Sequence, residues 1–190
     1  MLKYTGYIRK IRYYSESSHY IVALLEVEED QELLTMNGYM SNFNDYDKYA
    51  FYGDFEIHPK YGQQFKLDHY EIVLSTDEEE IIKYLSSPLF KGIGPTQAKY
   101  IVDALGENAL SLIKEDKHHL DLVKGMTVAK RELIYEVLTS NDYDQEVTQF
   151  FMGHGISLRH IGIIQETYKE KTLEILQNHP YQLVEDIDGI

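Results

Sequence analysis

The spacing of apolar residues divides the chain into a strand-like first part and a helical second part. An apolar, partly β-branched run covers residues 20–27, and Phe65 and Leu67 alternate with polar neighbours, which is the two-residue period of a β-strand. Three further apolar residues are separated by even numbers of positions, as residues on one face of a strand are: Phe51, Phe55 and Ile57. The chain from residue 2 to about residue 74 is therefore predicted to form strands.

Turn signals separate these runs. Glu29-Asp30, Ser41-Asn42 and the segment 58–62 (His-Pro-Lys-Tyr-Gly) each combine residues that favour turns. Four or five strands in a region of this length must close on themselves, and the five-stranded OB barrel is an architecture of that size. The sequence therefore predicts an OB-like β-barrel over residues 1–75.

The apolar period becomes helical near residue 76. Thr76 with Glu79 resembles a capping box ahead of Ile81, Ile82 and Leu85. Helical patterns then follow at 97–105, 109–113, 129–138, 146–152, 158–168 and 173–177, with a loop at Asn141-Asp142. The predicted fold class is α+β, with an all-α domain over residues 76–190 following the barrel.

A glycine turn lies directly before one of these helices, in the run Phe90–Ala98 (Phe-Lys-Gly-Ile-Gly-Pro-Thr-Gln-Ala). Gly92 and Gly94 permit backbone conformations closed to residues with a Cβ, and Pro95 suits the first helical position. Backbone N–H groups around Gly94 would face outward at the positive end of a helix dipole, an arrangement that binds phosphate. The pattern is that of a helix-hairpin-helix, which holds a nucleic-acid backbone and reads no base sequence.

The glycine turn recurs along the helical part. The run Leu122–Arg131 repeats the apolar pair, the Lys-Gly turn and the basic helix of the first turn. Gly153-His154-Gly155 follows, and Ile187-Asp188-Gly189-Ile190 ends the sequence with a fourth turn. An ordinary helical bundle is the alternative, but it does not explain a glycine before each helix.

A longer repeat appears when the sequence is shifted so that Gly92 is aligned with Gly155. The apolar positions then coincide: Ile93 with Ile156, Ala98 with Ile161, Ile101 with Ile164, Leu105 with Tyr168, Leu110 with Leu173, and Ile113 with Leu176. With one residue inserted near His179, Gly125 also meets Gly189. Such a repeat predicts tandem helix-hairpin-helix motifs.

These turns define the candidate DNA contacts. Main-chain amides and nearby cations are expected to bind phosphate at Lys91, Gly92, Ile93, Gly94, Lys99, Lys124, Gly125, Lys130, Arg131, Gly155, Ser157 and Arg159. In the barrel, outward-facing tyrosines would stack on bases, and the first candidates there are Arg9, Arg12, Tyr13 and Tyr20. Packing within the sheet is the alternative role for each of these tyrosines.

The charge of the chain opposes strong nucleic-acid binding. Its 18 Lys and Arg residues stand against 32 Asp and Glu residues, a net charge of −14, and both predicted domains are acidic. Because most DNA affinity comes from cations that neutralise phosphates, we expect weak binding that assists stronger contacts elsewhere. The Lys and Arg residues do cluster at the glycine turns, whereas acids concentrate at 26–32 and 77–80.

The sequence offers no sign of catalytic or metal chemistry. It has no cysteine, its eight histidines are scattered, and it contains no G-x-x-x-x-G-K-[ST] loop for ATP. We therefore expect no catalytic residue, cofactor or metal in this chain. The chain has neither a long apolar segment nor a signal-peptide pattern, which predicts a cytoplasmic protein.

Two stretches resemble a known family. The run Tyr84–Pro95, preceded by His58–Phe65, resembles the N-terminal region of bacterial RecD-like DNA helicases, the stand-alone kind called exodeoxyribonuclease V alpha subunit. Asn178–Leu183 with Ile187–Ile190 resembles the later Asn-Pro-Tyr-Arg-Leu and Asp-Gly-Ile-Gly-Phe segment of that family. The resemblance covers essentially the whole chain.

The resemblance implies a parent protein that is an ATP-dependent 5′-to-3′ DNA helicase, a hydrolase of DNA repair that uses ATP and Mg²⁺. This chain would be its DNA-handling head, a monomeric fragment acting on single-stranded or forked DNA and ending before the motor. Three residues depart from the family pattern: His179 is inserted, Gln182 replaces the usual Arg, and Thr127 replaces the second glycine of the middle turn. Phosphate contacts at Gln182 and Thr127 are therefore less expected.

Two other functions stay open. A RuvA-like junction-binding protein also has an OB barrel followed by paired helical hairpins, although the third hairpin of this chain argues against it. A module that docks a motor on a repair or replication protein is the second alternative. The net charge of −14 favours that docking role over tight DNA binding.

Overall fold

A computed structural model of the chain describes residues 1–29, 32–140, 142, 147, 151 and 155–187. The contacts divide the chain into two compact units. Unit 1 contains Met1–Asp45, Tyr49–Glu71 and Tyr143–Ile190, and unit 2 contains Tyr46–Lys48 and Ile72–Asp142. The last part of the helical region thus groups with the barrel, a relation that the one-dimensional pattern does not indicate.

The N-terminal part of the chain forms five strands: β1 (Leu2–Tyr14), β2 (Tyr20–Val27), β3 (Leu33–Tyr39), β4 (Lys48–His58) and β5 (Gly62–Val73). They close into a barrel in the order β1-β2-β3-β5-β4. β1 pairs antiparallel with β2 and β4, β2 pairs antiparallel with β3, and β3 runs parallel to β5. This five-stranded closed barrel confirms the predicted OB-like fold.

The barrel core follows the predicted alternation through most of its length. Phe51 and Phe65 are fully buried, and so are Ile21, Ala23 and Leu25 on the inward face of β2. Phe51, Phe55 and Ile57 all lie in β4, as predicted, but at the end of this strand Phe55 is 38% and Ile57 is 83% exposed. β1 pairs with β4 only as far as Gly53, so the end of β4 continues past this pairing and its inward positions are no longer covered.

Unit 2 contains the α-helices α1 (Glu78–Leu85), α2 (Pro95–Leu105), α3 (Ala109–Glu115) and α4 (Val128–Thr139). Short 3₁₀ helices lie at Gly106–Asn108 and Lys117–Leu122. Their apolar faces enclose one core that includes Ile81, Leu85, Phe90, Ala98, Ile101, Ile113, Leu120 and Ile134.

The predicted capping box at Thr76 is wrong by one residue. The N-cap of α1 is Asp77, whose Oδ1 accepts a hydrogen bond from the backbone N–H of Glu80 at 2.9 Å. Asp is as good an N-cap as Ser and better than Thr, and the next three residues are all Glu, which favours the helix N-terminus.

The helical part of unit 1 repeats the order of elements found from α2 to α3 in unit 2. It contains α5 (Leu158–Tyr168), a 3₁₀ helix (Lys169–Lys171), α6 (Thr172–Asn178) and α7 (Gln182–Asp186). When Gly92 is aligned with Gly155, the limits of α5, the 3₁₀ helix and α6 coincide with those of α2, the first 3₁₀ helix and α3. The aligned residues Ile161, Ile164 and Leu176 are buried in a core of their own, as their counterparts are in unit 2.

Some predictions fall outside the described residues. These are Asp30 of the turn Glu29-Asp30, part of the loop at Asn141-Asp142, most of the expected helix at 146–152, Gly153-His154 of the third glycine turn, and the fourth turn at Asp188–Ile190. Among the residues that are described, no helix combines the length and apolarity needed to cross a bilayer.

Candidate nucleic-acid interface

Hairpin 1 is the turn Phe90–Gly94 between α1 and α2. Gly92 has φ +84°, a conformation that favours glycine, and it allows the N–H of Ile93 to donate to the carbonyl oxygen of Phe90 at 3.0 Å. Gly94 is extended and caps α2, with its carbonyl oxygen accepting from the N–H of Ala98 at 2.9 Å. The turn thus places Gly94 at the N-terminus of α2, as predicted. The prediction that Gly94 needs a conformation closed to residues with a Cβ is wrong, because its φ of −91° and ψ of 175° are open to any residue.

The tip of hairpin 1 is open. A Cβ built on Gly92 or Gly94 would meet no atom within 4 Å, and no side chain caps α2. Within the described part of the chain, the N–H of Gly94 has no hydrogen-bond acceptor. The N–H groups at the start of a helix require acceptors from outside it, so an incoming phosphate would satisfy them.

The predicted contacts at hairpin 1 divide into two groups. Lys91 and Lys99 are exposed, on either side of the two open glycines. Ile93 is buried in the core of unit 2, and its N–H is already used inside the turn. We therefore assign Ile93 a packing role and leave it out of the proposed phosphate contacts.

Hairpin 2, the turn Val123–Thr127 before α4, has the same backbone geometry. Gly125 has φ +75°, and the N–H of Met126 donates to the carbonyl oxygen of Val123 at 3.2 Å. Thr127 takes the place of Gly94, and its Oγ1 accepts from the N–H of Lys130 at 3.2 Å. One amide of this helix N-terminus is therefore satisfied internally, which leaves hairpin 2 with less capacity for phosphate.

Arg131, predicted as a DNA contact, is hydrogen-bonded to neighbouring carboxylates. Its Nη1 donates to Asp121 Oδ1 at 2.7 Å and its Nη2 to Glu132 Oε1 at 3.1 Å. These hydrogen bonds raise the pKa of Arg131. Hydrogen bonds from His118 and then Arg131 lower the pKa of Asp121, and those from Lys117 and then Arg131 lower the pKa of Glu132. We leave Arg131 out of the proposed contacts as well.

Lys124 in hairpin 2 and Lys130 in α4 both contact helix α2. Lys130 Nζ donates to Gln97 Oε1 at 3.3 Å, and Lys124 Nζ lies 5.3 Å from the ring centroid of Tyr100. Gln97 also donates from Nε2 to the carbonyl oxygen of Lys124 at 3.0 Å. Gln97 and Tyr100 were absent from the predicted site, since nothing in the sequence shows which helix faces hairpin 2.

Hairpin 3 contains Gly155–Ser157 and precedes α5 in unit 1. Gly155 has φ +78° and, like Gly92, open space where a Cβ would be. Ser157 caps α5 with an extended backbone, and its Oγ lies 3.1 Å from His160 Nδ1 and caps no backbone amide. Arg159 is exposed. All three predicted contacts of this hairpin therefore lie at one accessible helix N-terminus.

Helix α5 packs on the barrel within unit 1. His19, which follows the turn between β1 and β2, covers Gly162 so closely that a Cβ there would lie 2.3 Å from His19 Cδ2. His19 Nδ1 is hydrogen-bonded to the Tyr14 hydroxyl at 2.9 Å, and its Nε2 lies 3.7 Å from Glu166 Oε2. Burial, with a smaller effect of Glu16 and Glu166, raises the pKa of Tyr14. Hairpin 3 and the barrel therefore form one structural unit.

Three tyrosines form a row on the outer face of the barrel. The rings of Tyr13 and Tyr20 lie 6.4 Å apart, and Tyr20 is 5.3 Å from Tyr39. Tyr13 is 56% exposed, and the other two are half-buried. Of the two arginines predicted beside them, Arg9 is ion-paired with Glu26 and Arg12 is exposed. The sequence missed Tyr39, because only the strand register places it opposite Tyr20.

Two family models match the chain. Residues 1–75 match the OB-fold domain of the ATP-dependent DNA helicase YrrC, and residues 140–190 match the HHH domain of the ATP-dependent RecD2 DNA helicase. The first match covers the barrel, and the second covers hairpin 3 and the helices that follow it. Together they confirm the resemblance to the N-terminal region of RecD-like DNA helicases.

Proposed function

We propose that this chain is the DNA-handling N-terminal region of a RecD-like 5′-to-3′ DNA helicase acting in DNA repair or recombination. It contacts the phosphate backbone of DNA and has no preference for base sequence. The observation that carries this proposal is the recurrence of a glycine with positive φ two residues before the extended N-cap residue of α2, α4 and α5, with open glycines at hairpins 1 and 3. Both family matches, to domains of ATP-dependent DNA helicases, support it.

Hairpin 1 is the principal phosphate site in this proposal. It combines two open glycines, a helix N-terminus without a side-chain cap, and the exposed Lys91 and Lys99. Hairpin 3 is the second site, with Gly155, Ser157 and the exposed Arg159. Amide donors bind phosphate without a positive side chain, which reconciles DNA binding with a chain of net charge −14.

The tyrosine row supports single-stranded or forked DNA as the ligand. Bases that are not paired expose their faces, and stacking on aromatic side chains tolerates any base. Tyr13 offers the most exposed ring of the row. Stacking at the barrel and phosphate contacts at the hairpins would both be independent of sequence, as a helicase requires.

ATP, Mg²⁺ and the hydrolase activity belong in this proposal to the motor of the parent helicase, an exodeoxyribonuclease V alpha relative. The chain supplies DNA contacts to that motor, and its binding partners are DNA and repair or replication proteins. It acts as a monomer in the cytoplasm. Its acidic surface favours a role beside the motor over independent tight binding.

The test is a salt-dependent binding titration with single-stranded, forked and four-way junction oligonucleotides. If two hairpins each engage one or two phosphates, the log-log salt slope on single strands is about −1.5 to −3. A slope steeper than about −6, or strong discrimination between sequences, would contradict backbone binding through amides. A marked preference for junctions would favour the RuvA-like alternative, and absence of DNA binding would favour protein docking.

A further inference from the structure

Helix α2 holds hairpin 2 through two side chains, one turn apart. Gln97 donates from Nε2 to the Lys124 carbonyl oxygen at 3.0 Å and accepts at Oε1 from Lys130 Nζ at 3.3 Å. Tyr100 lies below the ammonium group of Lys124, with 5.3 Å between Nζ and the ring centroid. Lys124 of hairpin 2 and Lys130 of α4 are thus both held by residues of helix α2, which follows hairpin 1.

The orientation of the Gln97 amide follows from its partners. One partner is a carbonyl oxygen, which only accepts, and the other is an ammonium group, which only donates. Reversing the amide would place an NH₂ group against the lysine and an oxygen against the carbonyl. Gln97 is also half-buried, so its two hydrogen bonds fix the side chain in a single arrangement.

We propose that Gln97 and Tyr100 are positioning residues that hold Lys124 and Lys130 ready for phosphate, so that hairpins 1 and 2 bind one nucleic-acid backbone as a single site. This inference rests on the proposed function. The ligand is the phosphate backbone of single-stranded or duplex DNA, and neither Gln97 nor Tyr100 needs to touch it.

Phosphate binding at hairpin 2 would depend on Lys124 and Lys130 more than phosphate binding at hairpin 1 depends on Lys91 and Lys99. Thr127 satisfies the N–H of Lys130, so fewer amides remain for phosphate there than at hairpin 1. A free lysine side chain loses conformational freedom when it binds, and a lysine already held in place loses less. At hairpin 3 the residue corresponding to Gln97 is His160, which contacts Ser157 of its own hairpin instead. The link between hairpins is therefore particular to hairpins 1 and 2 among the described contacts.

The first test compares Gln97→Met and Tyr100→Leu with the wild-type protein. Methionine keeps the length of the side chain but makes neither hydrogen bond. We expect DNA binding about two- to tenfold weaker for each variant. The salt slope on single strands should also become shallower by about 0.7 for each lysine that no longer reaches a phosphate.

A matched control is available in the same unit. Tyr135 holds Lys117 as Tyr100 holds Lys124, with 5.7 Å between Nζ and the ring centroid, but Lys117 is ion-paired with Glu132 and precedes hairpin 2. Tyr135→Leu should therefore leave both DNA affinity and salt slope unchanged. A role in stability alone would lower the melting temperature of Gln97→Met without altering the slope.

A double-mutant cycle tests the coupling directly. Lys130→Gln should weaken DNA binding in the wild-type background and should have a clearly smaller effect in Gln97→Met. Additive effects, or Gln97→Met binding like wild type with the same slope, would overturn this inference and leave the proposed function standing. A wild-type protein that binds neither single-stranded nor duplex oligonucleotides would overturn both.

Discussion

Two segments of this protein have the same succession of elements but different surroundings. Residues 95–115 in unit 2 and 158–178 in unit 1 each form a helix, a 3₁₀ turn and a second helix, and one constant shift along the sequence relates all their boundaries. The apolar positions and the turn before the helix are shared, whereas the residues on the outer surface are not. The two copies thus share their buried positions and their succession of elements, while their exposed residues differ.

The position shared by Lys99 and Gly162 shows this difference most directly. Lys99 is exposed on α2, one turn from hairpin 1. Gly162 occupies the same position of α5, and His19 covers it. A surface that carries a candidate DNA contact in the first copy is thus a packing surface against the barrel in the second copy.

Exchanging these two residues should produce the largest effect on stability. Gly162→Lys forces a side chain against His19, and we expect it to destabilise the protein by about 2–3 kcal/mol. The reciprocal change, Lys99→Gly, costs only helix propensity, about 1 kcal/mol. Urea denaturation measures both. If Gly162→Lys is as stable as wild type, α5 does not pack on His19 and the comparison fails at this position.

The end of the first helix gives the next largest effect. Gly106 has φ +72° at the C-cap of α2, and Lys169 has φ +49° and ψ −126° at the C-cap of α5. This region disfavours residues with a Cβ, so Lys169→Gly should stabilise the protein by about 1 kcal/mol. Gly106→Lys should destabilise it by about the same amount. Thermal melts of the two variants should shift in opposite directions, and a shift in the same direction would refute the equivalence of the two caps.

The smallest effect concerns Leu105 and its counterpart Tyr168. Burial, then the hydrogen bond that the hydroxyl donates to Asp186 Oδ2 at 2.6 Å, raises the pKa of Tyr168 to about 12. An unfolded tyrosine loses its proton near pH 10, so the folded protein retains a proton that the unfolded chain has lost. The stabilisation from this group is present below pH 10 and is lost as the pH rises to 12.

Tyr168→Phe should therefore reduce the loss of stability between pH 10 and pH 12. Tyr181→Phe is the control, since Tyr181 is largely exposed. Denaturation curves at intervals across this range measure both variants. An unchanged pH profile for Tyr168→Phe would show that the hydroxyl of Tyr168 has the same environment in the folded and unfolded protein.

The sequence predicted those features that depend on local pattern. The limits of β2 and α5 agree with the apolar runs, and Gly92 has the positive φ expected of its turn, although Gly94 does not. Features that depend on a distant partner were missed. Alternation could not show that Ile57 lies beyond the pairing of β4 with β1, and helical spacing could not show that Gln97 faces Lys130.

The same reason explains why the proposed contacts differ from those expected from the sequence. Arg131 has the right position for a phosphate contact, but Asp121 lies within reach only after the chain folds. Tyr39 joins the tyrosine row only because β2 and β3 pair with Tyr20 opposite Tyr39. The period of a sequence indicates which residues are covered, but it does not identify the residues that cover them.

The central claim, that hairpin 1 binds phosphate through its backbone, is tested most directly by DNA binding of Gly94→Glu beside Ala98→Leu. Gly94 has an ordinary negative φ and free space for a Cβ, so the glutamate variant should fold normally while placing a negative charge at the amides. Ala98 is fully buried, and leucine there should cost about 1–3 kcal/mol of stability with little change in DNA affinity. We predict that Gly94→Glu weakens DNA binding by about tenfold or more, equivalent to about 1.4 kcal/mol, at an unchanged melting temperature. Equal DNA affinity of the wild type and a folded Gly94→Glu protein would contradict the claim and make Gly94 only a helix-start residue.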